Sequence, residues 1–128
     1  LDLGALSFII PAALQKMAHN RTDNAPARAG VRLAAGEAVI VVLHSPREKC
    51  WGVLADINPA GVFMRGVDLH AFDDWVRAVR NDEPFFGFAD VFFPMWRVER
   101  LARDEAAGGI PSLAEQFAAR TGRDIREI

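Results

Sequence analysis

The sequence predicts a small, mainly β domain, a curled sheet or barrel of five strands, and three observations predict it. Short apolar, β-branched and aromatic runs recur: Val39-Ile40-Val41-Val42-Leu43, Trp51-Gly52-Val53-Leu54, Gly61-Val62-Phe63-Met64-Arg65 and Val91-Phe92-Phe93-Pro94. Turn residues separate them, and that punctuation is how strands are written in a chain. A glycine, Gly52, stands inside the second run, where a residue without Cβ marks a bulge or sharp bend, and small barrels need bent strands.

Residues 38–44 form a nearly unbroken apolar run, as expected of a strand covered on both faces. Ser45-Pro46-Arg47-Glu48 reads as a turn because Pro presets φ and the other three residues are polar. The second strand spans residues 49–57. Asn58-Pro59-Ala60-Gly61 then turns the chain into a third strand over 62–67, so strands two and three make a hairpin. Leu69, Phe72, Val76 and Val79 share one helical stripe with Trp75 beside them, while Asp73 and Arg77 lie four apart on the other side. A helix over 69–79 follows, with Asp68 as its N-cap and Asn81-Asp82-Glu83-Pro84 as its end.

Strands four and five are expected over 85–93 and 96–103, broken at Pro94-Met95, and the mixed alternation of the last suits a half-exposed edge open to pairing with another chain. Beyond a Gly-containing loop, Ser112-Leu113-Ala114-Glu115 has the S-x-x-E pattern of a capping box, opening a helix over 113–121 that stops at Gly122.

At 128 residues the chain has the length of one domain, long enough to bury roughly two-thirds of its unfolded surface. With 15 basic and 17 acidic side chains it has no overall field for phosphate, so a nucleic-acid site would have to be a local patch. The single cysteine, Cys50, excludes an intrachain disulfide and favours a reducing, cytoplasmic setting. Residues 1–30 read as an extension or arm before a domain over 31–128. The apolar stretch before Lys16 falls short of the about 20 residues of a membrane span and lacks a signal peptide's basic start. Met17 is read as a natural start with residues 1–16 upstream of it; the alternative is a helix lying on the barrel or on a neighbouring subunit.

The candidate chemistry is sparse. Asp68, His70, Asp73 and Asp74 could gather around a metal, but positions around a helix spread them, and a solvated helix face is the preferred reading. His44 and Ser45 are neighbours on a strand end and should point to opposite faces, which excludes a nucleophile and base pair. Lys49 beside Cys50 could lower the thiol pKa, although a lone strand cysteine is usually a small buried apolar residue. No enzyme, metal or cofactor is expected. The basic residues Arg47, Lys49, Arg65, Arg97 and Arg100 flank aromatic strands and form the candidate binding surface, with Glu48, Asp56 and Glu99 among them.

The run Gly36-Glu37-Ala38-Val39-Ile40-Val41-Val42-Leu43, then Gly52-Val53-Leu54 and Gly61-Val62-Phe63-Met64, resembles the first motif of Sm-like proteins. Residues 91–94 with 96–101 would stand for that family's paired last two strands. The resemblance covers about residues 36–103. It implies a strongly bent, five-stranded SH3-like (Sm-like) open barrel, here carrying the inserted helix (69–79) and the C-terminal helix (113–121) as extras. These extras are similar to those of uncharacterised bacterial Sm-like proteins. It also implies a homo-oligomer paired through edge strands, with RNA as its ligand. The turn that contacts RNA in the family is shorter here, and Pro94-Met95 replaces the second motif, so only Asn58 is carried over as an RNA contact. The expected function is a non-enzymatic binding or assembly module, RNA-binding as an oligomer; the alternative is a structural or regulatory homo-oligomer with a protein partner.

Overall fold

Alternation along the strands decides the architecture, because successive side chains point to opposite faces and each face must find cover. The computed structural model describes residues 32–128, within which Ala34–Ile128 form one compact unit. The expectations for residues 1–30, including Met17 as a start, lie outside the described residues. Strands β1 (Ala38–Leu43), β2 (Glu48–Asn58), β3 (Gly61–Asp68), β4 (Ala89–Pro94) and β5 (Val98–Arg103) form one antiparallel sheet in the order β4-β3-β2-β1-β5. The sheet is open: β4 and β5, consecutive in sequence, lie on opposite edges and do not pair with each other.

The register separates two apolar sets. Ile40, Trp51 and Val67 lie in one cross-strand row, with Ala102 beyond Ile40. This face meets helix α1 (Phe72–Arg80) and helix α2 (Leu113–Thr121), where Trp51, Val67, Phe72, Trp75, Val76, Phe117 and Ile125 form a buried cluster. The other face carries Val39, Val41, Leu43, Leu54 and Met64, all buried. β1 is therefore apolar on both sides, as its unbroken run predicts.

Inside the cluster, Trp75 stacks on Phe88 (ring centroids 4.6 Å, 15°) and on Phe117 (4.7 Å, 10°), while Trp51 meets Phe72 edge-on at 5.2 Å. Such pairs each add about 0.5–1.5 kcal/mol beyond the area they bury. The docking of α2 is set by Asp104, just past β5. Its carboxylate accepts hydrogen bonds from Trp51 Nε1 (3.1 Å), Leu113 N (2.8 Å) and Ala114 N (2.8 Å). The capping box at Ser112 and Glu115 is formed, and Gly122 ends α2 in the left-handed region, with φ 75°.

Several boundaries depart from the sequence expectation for identifiable reasons. The helix expected over 69–79 begins as a 3₁₀ turn, Leu69–Ala71, capped by Asp68 through His70 N, before α1 proper starts at Phe72. Residues 85–88 are not strand, because Phe85 and Phe88 turn into the helix cluster; β4 begins only at Ala89. Met95–Arg97 form a 3₁₀ turn held by a hydrogen bond from Met95 N to Ala60 O (2.9 Å), so β5 starts at Val98 rather than Trp96. His44 and Ser45 lie in the β1–β2 turn, where Ser45 has φ 60°, and their side chains do hydrogen-bond, Nδ1 to Oγ at 3.1 Å. The expectation of opposite faces fails there because neither residue is in a strand.

Gly52 has a different task from the one expected. The bulge in β2 lies between Leu54 and Asp56, whereas Gly52 faces Gly66 across β2 and β3. A Cβ at Gly52 would run into Arg65 O and stand 2.5 Å from Gly66 Cα, backbone atoms that cannot move aside cheaply. Gly52→Ala is expected to destabilise the protein by about 3 kcal/mol or more, read as a lower urea midpoint at unchanged slope. A loss below about 1 kcal/mol would show that the strands are not so close.

Candidate interaction surface

The six residues singled out from the sequence fall in three places. Arg47, Lys49, Arg97 and Arg100 surround the β1–β2 turn and the start of β5. Arg97 is structural: its guanidinium donates to His44 O (3.1 Å), Pro46 O (2.8 Å) and Glu48 Oε1 (3.2 Å), and its side chain is 18% exposed. Arg47 reaches Glu99 at 3.1 Å. These two arginines tie the turn to the strand beyond it. Lys49 and Arg100 sit opposite Val42 from either side, in one row across β2, β1 and β5, and neither has an ion pair among the described residues. Two strand spacings put their Cα atoms about 10 Å apart.

Asn58 stands at the opposite end of β2. Its Oδ1 accepts from Ala60 N at 2.8 Å, which builds the turn, and its Nδ2 donates to Asp56 at 2.9 Å. Arg65 lies on β3 beside β4, donating to Asp90 (3.2 Å) and to Ile128 O (3.4 Å), with its guanidinium 4.9 Å from the Phe88 ring centre. Of the metal candidates, Asp68 caps the 3₁₀ turn and has His70 Nδ1 3.5 Å from its Oδ1, whereas Asp73 binds Arg120 and Asp74 binds Arg77. Cys50 is buried, and burial, with help from Asp68 and Glu48, pushes its thiol up to about 12, so Lys49 does not activate it.

What the sequence reading missed is a charged cleft of about 360 Å³ where β1 and β5 meet α2, lined among others by Glu37, Arg103, Asp104, Glu115 and Arg126. Glu37 accepts from Arg103 Nε at 2.5 Å and from Ala34 N at 2.6 Å, and Arg126 donates to Gly36 O at 2.8 Å. Glu37 thus ties β5 to the chain entering β1, while Asp104 and Glu115 hold the start of α2. No motif announces this, since the partners lie far apart in sequence; the Glu37 and Arg103 pair is 66 residues apart.

The two sheet edges are the other feature. Met95 N bonds Ala60 O across the β3–β4 ladder, so by alternation residues 93, 91 and 89 present their backbone groups to β3, and Asp90, Phe92 and Pro94 present theirs outward. Pro94 has no N–H to lose at that outward place. On the far side, Asp104 N bonds Ala38 O, so residues 102 and 100 face β1 and Leu101 and Arg103 face outward. Phe92 is 45% exposed and packs on Phe63 at 4.6 Å, and Trp96, 65% exposed, stands at the β4–β5 junction in a T-shaped arrangement with His44, ring centroids 6.5 Å apart. No known protein family's profile, no curated protein and no solved structure matches the chain.

The hydrogen bond from Arg103 holds the Glu37 carboxyl below the usual carboxylate range. A depressed folded pKa stabilises the protein above the unfolded value of about 4.3, and this contribution is lost as pH falls through the folded value. Denaturation of the parent and of Glu37→Gln should therefore show a stability gap that is full at neutral pH and closes on acidification; a gap independent of pH would contradict the assignment.

Proposed function

We propose that this chain is a non-enzymatic, Sm-like assembly module that forms a homo-oligomer by joining the β4 edge of one copy to the β5 edge of the next. The observation that carries the reading is the pair of unlike edges on opposite sides of one sheet, each without a further strand among the described residues and each with outward backbone groups and apolar side chains. An uncovered edge is a template for another strand, and unlike edges join head to tail. The engagement of Asp73 by Arg120 and of Asp74 by Arg77, together with the inert Cys50, supports a binding role.

Light scattering of the parent should give a mass well above the 14.1 kDa of one chain, and Phe92→Asp, an exposed edge position, should return it to monomer with its fold intact by circular dichroism. A parent that stays monomeric at high concentration overturns the proposal.

A second reading, RNA as the ligand of that oligomer, is favoured by Lys49 and Arg100, in one row and without ion pairs among the described residues, and by exposed Trp96 as a stacking platform. Under it, Lys49→Ala with Arg100→Ala weakens binding of a mixed-sequence RNA and lowers the salt slope by about 1.4, roughly 0.7 per lost contact on a single strand. Parent protein that binds no RNA at low salt leaves a protein-only assembly.

A further inference from the structure

Tryptophan is on average highly buried, yet Trp96 is 65% exposed, and the backbone beneath it is not slack. It is the middle residue of the Met95–Arg97 3₁₀ turn. Met95 N ties that turn to Ala60 O (2.9 Å), while Arg97 O accepts from His44 N (2.9 Å) and the Arg97 guanidinium donates to His44 O (3.1 Å). These bonds bring His44 against Trp96, the imidazole and indole meeting in a T-shaped contact with an interplanar angle of 73°. The imidazole is itself held, because His44 Nδ1 and Ser45 Oγ hydrogen-bond at 3.1 Å. Ser45 keeps that place at φ 60°, a conformation uncommon for a residue other than glycine. Ser45 thus orients His44 and His44 orients Trp96, and an aromatic face set in advance loses little entropy on binding.

Charge indicates what that face would meet. Around the β1–β2 turn and the start of β5, Arg47 is paired with Glu99 and Arg97 with Glu48, whereas Lys49 and Arg100 have no ion pair among the described residues. A fixed indole beside uncompensated cations suits a ligand that is planar in one part and anionic in another, and each unit of a nucleic-acid strand is both. Resting on the RNA reading above, we propose that Ser45, His44 and Trp96 form a stacking subsite for one unpaired base, the strand's phosphates running on to Arg100, four residues beyond Trp96, and to Lys49 in the same row. Trp96 is the contact residue; His44 and Ser45 are positioning residues that act through it. The strand is single, because a base inside a duplex has both faces covered by its neighbours. Every base has a face to stack, so the subsite tolerates base identity.

The chain carries its own reporter, since Trp51 and Trp75 are buried and Trp96 is the third of its three tryptophans. A mixed-sequence single-stranded RNA should protect the Trp96 fluorescence from quenching by acrylamide. A strand of equal length without bases should leave the quenching unchanged and bind about tenfold more weakly, the loss of one stacked base. Trp96→Ala should lose about tenfold toward the base-bearing strand and nothing toward the abasic one, while Trp96→Phe, which keeps an aromatic face, should retain most of the affinity. His44→Ala should lose affinity for the base-bearing strand alone, by less than Trp96→Ala; an equal loss toward both strands overturns its positioning role. RNA that binds without protecting Trp96, equal affinity for the two strands, or equal protection by a duplex overturns the subsite while leaving Lys49 and Arg100 as phosphate contacts. A parent that binds no RNA overturns both the subsite and the reading on which it rests.

Discussion

The carboxylate of Asp104 is the contact on which the two layers of this protein depend. It takes the indole N–H of Trp51, which lies fully buried in β2, and the first two backbone N–H groups of α2. An indole N–H and two helix N-terminal amides would each be costly to leave unpaired away from water, at about 1–3 kcal/mol per group. One side chain removes all three penalties, and its negative charge also suits the positive end of the helix. With α2 so placed, Phe117 reaches both Trp75 and Trp51, and the aromatic cluster is complete.

The cluster in turn positions what lies outside it. Phe88 is held against Trp75, so the segment before β4 is fixed, and β4 enters the sheet beside β3 with no strand on its outer side among the described residues. At the other edge, Glu37, Arg103 and Arg126 tie β5, β1 and the C-terminal turn together through charge-assisted hydrogen bonds. Both edges are consequently presented on a rigid frame. Burial of β1 on both faces adds to this, since a one-residue slip would exchange two apolar sets that are not of the same shape.

Much of the frame was legible in the sequence. The three central strands, the two-residue hairpin turn at Pro59-Ala60, the Asp68 cap, the capping box at Ser112 and the stop at Gly122 all rest on local chemistry, which one stretch of chain displays. What was not legible depends on partners distant in sequence. Phe85 and Phe88 have strand-like composition but fold toward Trp75, and Gly52 resembles a bend until Gly66 is seen opposite it. The candidate surface divides for the same reason. Arg65 and Arg97 are indistinguishable from ligand-binding arginines in the sequence, yet their hydrogen bonds hold the chain's own backbone, and the open edges emerge only from the strand order.

The link between Arg126 and Gly36 joins groups 90 residues apart, and Ile125 is buried in the helix-covered cluster. During synthesis, therefore, β1, β2 and β3 can pair as soon as they emerge, because their contacts are local. The cover over Trp51 cannot close until residue 125 has been made. For that interval a sheet apolar on both faces stands open in the cell, the state in which strands collapse onto neighbours or aggregate. The speed with which the last quarter of the chain follows the first half is thus a determinant of yield that no contact in the finished structure records.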